Sequence, residues 1–314
     1  MKVKLCPVIV MVALVSMTFA ACEPSGENKL NLDGGPPPLD DWWNKIESGG
    51  EIYDDFRYKI EDGEIRIIRY EGIGGEVTIP AEIEEIPVTT IGIHAFRERK
   101  LTSVVIPDSI SFIGSNAFRD NQLASVVIPD SITSIEDGTF ASNQLASVVI
   151  PNSITSIGFA AFAVNQLADV DIPDSVTYIG MSAFGDNVLT SVVIPNSVTY
   201  IGWYAFARNY LRSFTISNNV TKIESYTFSD NSFTSVVIPN SIAKIEYYAF
   251  MGNRNLVEIT IGANVSVNNE AFGGYLINGN YAPSGFVKAY NNNRKMAGTY
   301  SRPDTTSNVW TRQK

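Results

Sequence analysis

The sequence is poor in the residues that most chemistry needs. It has one histidine, His94, and two cysteines, Cys6 and Cys22, both at the front of the chain. A lone histidine without an ordered Ser and Asp partner set gives no hydrolase triad. There is no HExxH and no Gly-rich phosphate loop between a strand and a helix. No thiol lies beyond Cys22, so no disulfide staples the body of the chain and no cysteine cluster holds zinc. Charged residues are only 18% of the total, and the net charge is −10. Phosphate binding needs clustered Lys and Arg, so a nucleic-acid partner is not expected. These absences predict no catalytic residue, no metal and no cofactor. A pair of carboxylates acting on a glycan is kept as a minor alternative.

What the chain has instead is repetition. Leu101–Gln122, LTSVVIPDSISFIGSNAFRDNQ, returns at Leu123, Leu145, Leu167, Leu189, Leu211 and Phe233, 22 residues apart each time. A phenylalanine keeps the same register from Phe96 to Phe272. A fixed period of this length marks stacked supersecondary units. Within one copy, the β-branched run SVVI reads as a strand that Pro107 ends. Asp108 and Ser109 form a turn, and Asp or Asn fills the first of these positions in later copies. Ile110, Ile113, Ala117 and Phe118 then suit a second extended or tight-helical segment facing the same core. One coil cannot bury its apolar side alone, and stacking closes a continuous interior. The fold class is therefore a mainly β repeat solenoid, with a parallel sheet on one face and short segments on the other. Two polar columns, Asn121 with its counterparts and Ser109 with its counterparts, are expected to bond backbone at the bends. Gly114 marks a corner that Glu136, Glu224 and Glu246 fill elsewhere.

The pattern L-x-x-V-x-I-P-x-S-I-x-x-I-G-x-x-A-F-x-x-N resembles the BspA-type leucine-rich repeats of bacterial surface proteins. The likeness covers roughly 56–274, including an N-terminal unit, GGEVTIPAEIEEIPVTTIGIHAF. The resemblance implies a curved solenoid on a cell surface or in a periplasm, binding proteins or glycans.

The expected organisation runs as follows. Residues 1–21 combine Lys2 and Lys4 with an apolar run and small residues before Cys22, which reads as a signal peptide. The ending resembles a bacterial lipobox, with Cys22 acylated and Phe19 where leucine is usual. Plain secretion with cleavage near Ala21 is the alternative. The apolar run is too short to span a bilayer stably. Residues 22–50 form a Pro/Gly tether. Residues 51–100 form an N-terminal cap and first irregular repeat, whose acidic cluster discourages edge pairing. Its extra residues, within AEIEEIPVTT, are expected in a loop. The solenoid is 101–275. Residues 276–314 form a C-terminal cap anchored by Phe286, Val287, Tyr290 and Trp310, with Arg294, Lys295, Arg302, Arg312 and Lys314 as a solvated basic surface.

Two surfaces are candidates for binding. The outward strand positions are small, and Asp169 and Asp171, two coils from Arg212, break their uniformity. The aromatic residues lie elsewhere. Tyr204, Tyr226 and Tyr248 share one column, Trp203 and Tyr247 lie beside it, and Tyr178 and Tyr200 share another. Asn116, Gly138, Ala160 and Ser182 fill the first of these columns in earlier coils, so core demand does not explain the tyrosines. They read either as a ladder covering the convex side or as a platform for a protein or glycan. Together these readings favour a non-enzymatic lipoprotein, held by its N-terminal lipid and displayed on the outer membrane or cell surface. A periplasm-facing structural envelope protein is the alternative.

Overall fold

The computed structural model describes residues 49–273, 276–277, 280–281 and 285–313. The leader, Cys22 and most of the tether lie outside the described residues. From residue 51 the chain opens with an antiparallel meander, β1 (Glu51–Tyr53), β2 (Phe56–Glu61) and β3 (Glu64–Tyr70). Asp62 and Gly63 turn the second hairpin, both with positive φ (52° and 84°), as a tight Asp-Gly turn requires. After β4 (Gly75–Thr78) and β5 (Glu82–Ile83), β3 pairs in parallel with β6 (Ile86–Ile91), and the direction of pairing changes from hairpin to solenoid. The extra residues of the first repeat do not form a loop. β5 pairs antiparallel with β6, and Glu84 and Glu85 turn the chain at φ 51° and 66°.

From there the chain winds as a β-solenoid. Its interior holds a single file of phenylalanines. Ring centroids from Phe96 to Phe250 are 5.1 to 5.9 Å apart. Tyr70 closes the file at one end, 5.4 Å from Phe96, and Phe272 continues it at the other, 4.8 Å from Phe250. Each buried ring of this kind contributes roughly 2 kcal/mol of hydrophobic stabilisation before chain entropy is set against it.

The parallel pairing is divided between two narrow ladders. The second segment of each coil carries two-residue strands: Ser134–Ile135, Ser156–Ile157, Tyr178–Ile179 and Tyr200–Ile201 form one continuous ladder, and Lys222–Ile223, Lys244–Ile245 and Ser266–Val267 form another. The SVVI ladder, expected to be the main sheet, is interrupted. It is present at Leu101–Val105, Ser191–Val193, Ser213–Thr215, Ser235–Val237 and Glu258–Ile261. In the three coils between the first two of these, only a Val127–Val149 bridge remains. The interrupted coils begin this segment with Ala124, Ala146 and Ala168, where the paired coils have Thr102, Thr190, Arg212, Thr234 and Val257. Alanine is depleted in strands and β-branched residues are enriched.

Asparagines lock the bends. The Asn165 side-chain amide donates to the carbonyls of Phe140 (3.0 Å) and Phe162 (3.1 Å), and its oxygen accepts from Leu145 N–H (3.0 Å). Asn121, Asn143, Asn187, Asn209 and Asn231 repeat the arrangement. All are buried, so each one satisfies backbone groups of two coils that water does not reach. The second column is less regular. Ser175 donates to Ile154 O (2.6 Å) and Asn219 to Asn196 O (2.6 Å), whereas the hydroxyls of Ser153, Ser197 and Ser241 are buried without a partner.

The C-terminal cap closes the open end. The helix Gly285–Asn292 buries Phe286, Val287 and Tyr290 against the last coil. Tyr290 hydroxyl donates to Gly262 O (2.8 Å) and accepts from Val265 N–H (3.0 Å). The strand Gly298–Ser301 pairs antiparallel with Glu258–Ile261, so the SVVI ladder ends on a covered edge. Two of the basic residues read as solvated are structural. Arg302 donates to Leu256 O (2.8 Å) and lies over Trp310, and Arg312 donates to Ala297 O (2.7 Å).

Candidate functional site

The outward side of the SVVI ladder is flat and exposed. Val127 and Val149 stand 79% and 76% exposed, surrounded by Ala and Ser. Asp169, Asp171 and Arg212 are all exposed, and no ion pair joins them among the described residues. Arg212 instead lines a shallow, open depression with Thr190, Tyr210, Ser232, Thr234 and Asn255. The two aspartates sit in a coil whose strand does not form. All three therefore stand apart on this exposed face.

The aromatic residues gather on a different flank. On the second ladder, Tyr178 and Tyr200 are register partners, and their rings stack at 5.1 Å and 10°. The same column continues with Lys222 and Lys244, which are also register partners. Three residues after Tyr200 stands Trp203, whose indole N–H donates to Glu224 Oε2 (3.1 Å). Lys222 bridges Glu224 (2.9 Å) and Glu246 (3.0 Å), and Lys244 meets Glu246 at 2.7 Å. The flank thus joins its aromatic and charged members through Trp203 and Glu224.

Ionisation follows from this packing. Burial alone would raise the Glu246 carboxyl, but hydrogen bonds from Lys244 and Lys222 outweigh it and hold the group below the usual carboxylate range. Burial alone would lower the Lys222 ammonium, but its bonds to Glu224 and Glu246 outweigh that and raise it. Burial raises the Tyr200 phenol, and the Glu224 charge adds to the effect. The Glu246 carboxylate and the Lys222 ammonium are therefore charged at neutral pH, and each sits against a partner of opposite sign.

The column occupied by Glu224 and Glu246 holds glycine in other coils. Gly114, Gly158, Gly180 and Gly202 do not have positive φ. Their need is for space: a Cβ at Gly202 would lie 2.5 Å from Met181 N, and one at Gly180 would lie 2.6 Å from Gly158 C.

The neighbouring column explains why Tyr204, Tyr226 and Tyr248 are unusual. All three are left-handed, at φ 59°, 61° and 58°. Earlier coils place Asn116, Gly138, Ala160 and Ser182 in the same conformation, and Asn and Gly are the types that adopt it most readily. A left-handed L-residue costs about 1–2 kcal/mol. Tyr204 and Tyr226 stack at 4.4 Å, and Tyr226 and Tyr248 lie 5.0 Å apart. Such contacts return about 0.5–1.5 kcal/mol each beyond area burial. The rings are half-buried. Three left-handed positions cost about 3–6 kcal/mol, and two ring contacts together with the partial burial of three rings return about as much, so these tyrosines are close to neutral for folding.

Sequence reading finds the aromatic residues of this flank and misses its charged ones. The signal was present: Lys-Ile-Glu recurs at 222–224 and 244–246, with the lysines in the column of Tyr178 and Tyr200. The left-handed backbone was also signalled, by Asn116 and Gly138 in the tyrosine column. As chemistry, the arrangement offers flat apolar rings beside balanced hydrogen-bonding groups. No group of three or more His, Cys, Asp or Glu suited to a metal ion occurs among the described residues.

Comparison with known proteins fits this architecture. A family model described as a BspA-type leucine-rich repeat region matches in six copies, over residues 76–190 and 178–292. A leucine-rich repeat protein from Bacteroides ovatus of known structure is 24% identical, with a TM-score of 0.56, over 73% of this chain and 68% of that one. A leucine-rich cell surface protein from Faecalibacterium prausnitzii is 23% identical over 72% of this chain and 94% of its own, with a TM-score of 0.31. The T. pallidum leucine-rich repeat protein is 27% identical over 70% and 86%, with a TM-score of 0.35. The search of curated proteins gives no match.

Proposed function

The chain belongs to the BspA-type leucine-rich repeat family, and we propose that it is a non-enzymatic, surface-displayed lipoprotein whose solenoid presents an aromatic flank to a protein or glycan partner. The observation that carries this reading is the placement of the rings. Tyr204, Tyr226 and Tyr248 occupy a column that the fold fills elsewhere with Asn116, Gly138, Ala160 and Ser182. Aromatic side chains that add little to folding and stand together at a surface are the residues that dominate interfaces. The charged sequence start, the apolar run and Cys22 support export and acylation. The Pro/Gly stretch supports a tether that holds the repeats away from the membrane.

The reading is tested on cells that express the chain. Labelling with a fatty-acid analogue is expected for the native protein and not for Cys22→Ala. Protease added to intact cells is expected to remove the solenoid. Full protection of the solenoid would point to the periplasm-facing alternative. In capture from matrix proteins and glycans, the Tyr204→Asn/Tyr226→Asn/Tyr248→Asn variant is expected to lose the partner; undiminished capture would overturn the assignment of the flank.

A further inference from the structure

Resting on the reading of this flank as a binding surface, we propose that its ligand is a neutral, extended glycan chain lying along the solenoid axis across the coils from Tyr178 to Tyr248. Size argues first. A stable protein–protein interface takes about 800 Å² and roughly 20–30 residues from each side. The flank is a strip of eleven side chains, about half that number: the Tyr178–Tyr200 stack, Trp203, Tyr247, the Tyr204–Tyr226–Tyr248 column and the lysine–glutamate pairs. A narrow strip suits a narrow ligand.

Charge argues second. Lys222, Lys244, Glu224 and Glu246 neutralise one another at 2.7 to 3.0 Å. An acidic polysaccharide or a basic peptide finds no surplus charge to pair with here. The Lys222 and Lys244 side chains, 39% and 51% exposed, keep ammonium donors that their pairing does not use up, while Glu224 and Glu246 are nearly buried beneath them. Sugar hydroxyls accept from such donors without requiring net charge. The exposed rings of Trp203 and Tyr247 offer flat apolar surface for the C–H face of a sugar.

Periodicity argues third. The tyrosine rings recur at 4.4 and 5.0 Å, once per coil. That spacing is close to the advance of one sugar residue in an extended chain. Successive sugars therefore meet at least one tyrosine on each successive coil, and several weak contacts act on one chain at once.

The test uses the full chain and immobilised oligosaccharides: neutral glucan, chitin, mannan and xylan fragments, with hyaluronan and polygalacturonate as acidic controls. A neutral hexasaccharide is expected to bind at least about tenfold more tightly than its disaccharide. Its affinity should change less than about twofold between about 50 mM and about 500 mM NaCl, since no net charge is engaged. Trp203→Ala and the Tyr204→Asn/Tyr226→Asn/Tyr248→Asn variant should each weaken it by about tenfold or more. Absence of binding to every neutral oligosaccharide overturns the proposal, as does binding confined to the acidic controls. Capture of a protein partner that the tyrosine variant abolishes, with no glycan bound, overturns the glycan and leaves the binding flank standing. A ligand whose affinity ignores all these substitutions overturns both.

Discussion

Removing the Asn165 amide leaves Leu145 N–H without a buried partner, while the Phe140 and Phe162 carbonyls keep the bonds from Asn143 and Asn187. Asn165→Ala is expected to lower stability by about 1–3 kcal/mol, read from urea unfolding, because the unsatisfied buried N–H carries a desolvation penalty. Val164, one residue earlier, is the opposite case. It is β-branched and left-handed at φ 57°, in a column that otherwise holds Asp120, Ser142, Asp186, Arg208, Asp230 and Gly252. Val164→Asn is expected to raise stability by about 1 kcal/mol in the same assay. The Glu246 carboxyl is depressed in the fold. Its contribution is therefore present above the ordinary carboxylate pKa and is lost as pH falls through the lower folded value. Stability measured from neutral to acid pH should fall more steeply in the parent than in Glu246→Gln. At this scale the asparagine column was legible in the sequence, because one polar residue type kept at a fixed register while its neighbours vary implies a fixed bonding role. The conformation of Val164 was not, since nothing in its chemistry favours a positive φ.

Elements are set by small differences between near-identical coils. The SVVI segment forms a hydrogen-bonded strand in coils that enter it through Thr, Arg or Val, and does not in the three that enter through Ala124, Ala146 and Ala168. Amides of 125–127, 147–149 and 169–171 are therefore expected to exchange with deuterium faster than those of Ser191–Val193 and Ser235–Val237. Replacing the three alanines with threonine should slow them toward the rates of the paired coils; unchanged rates would show that the first outward residue does not govern pairing. The period, the core file and the two-segment coil were readable from the sequence, because burial imposes them on every copy. The division of pairing between two ladders was not. Two-residue strands leave only a faint alternation, and the SVVI run looks equally β-like in coils 2 and 3 and in coil 5. The hairpin of β5 and β6 was hidden for a related reason, since Glu84-Glu85 is not an ordinary tight-turn pair.

At the scale of the whole solenoid, stability resides in columns that recur through the chain: the phenylalanine file, the asparagine locks and the caps that cover both ends. The aromatic flank is confined to the later coils and lies outside those columns. The phenylalanine file and the cap anchors Phe286, Val287 and Tyr290 could be located from the sequence, whereas Tyr300 and the bracing role of Arg302 required the chain to be folded. Folding and recognition are therefore expected to separate under mutation. The most direct measurement is equilibrium urea unfolding of Tyr204→Asn/Tyr226→Asn/Tyr248→Asn beside the parent and Phe162→Ala. The account predicts a triple variant within about 1 kcal/mol of the parent, since stacking plus partial burial and the left-handed cost roughly cancel, while Phe162→Ala loses about 3–5 kcal/mol. A triple variant that loses as much as Phe162→Ala would contradict it, because the tyrosines would then be part of what holds the solenoid together.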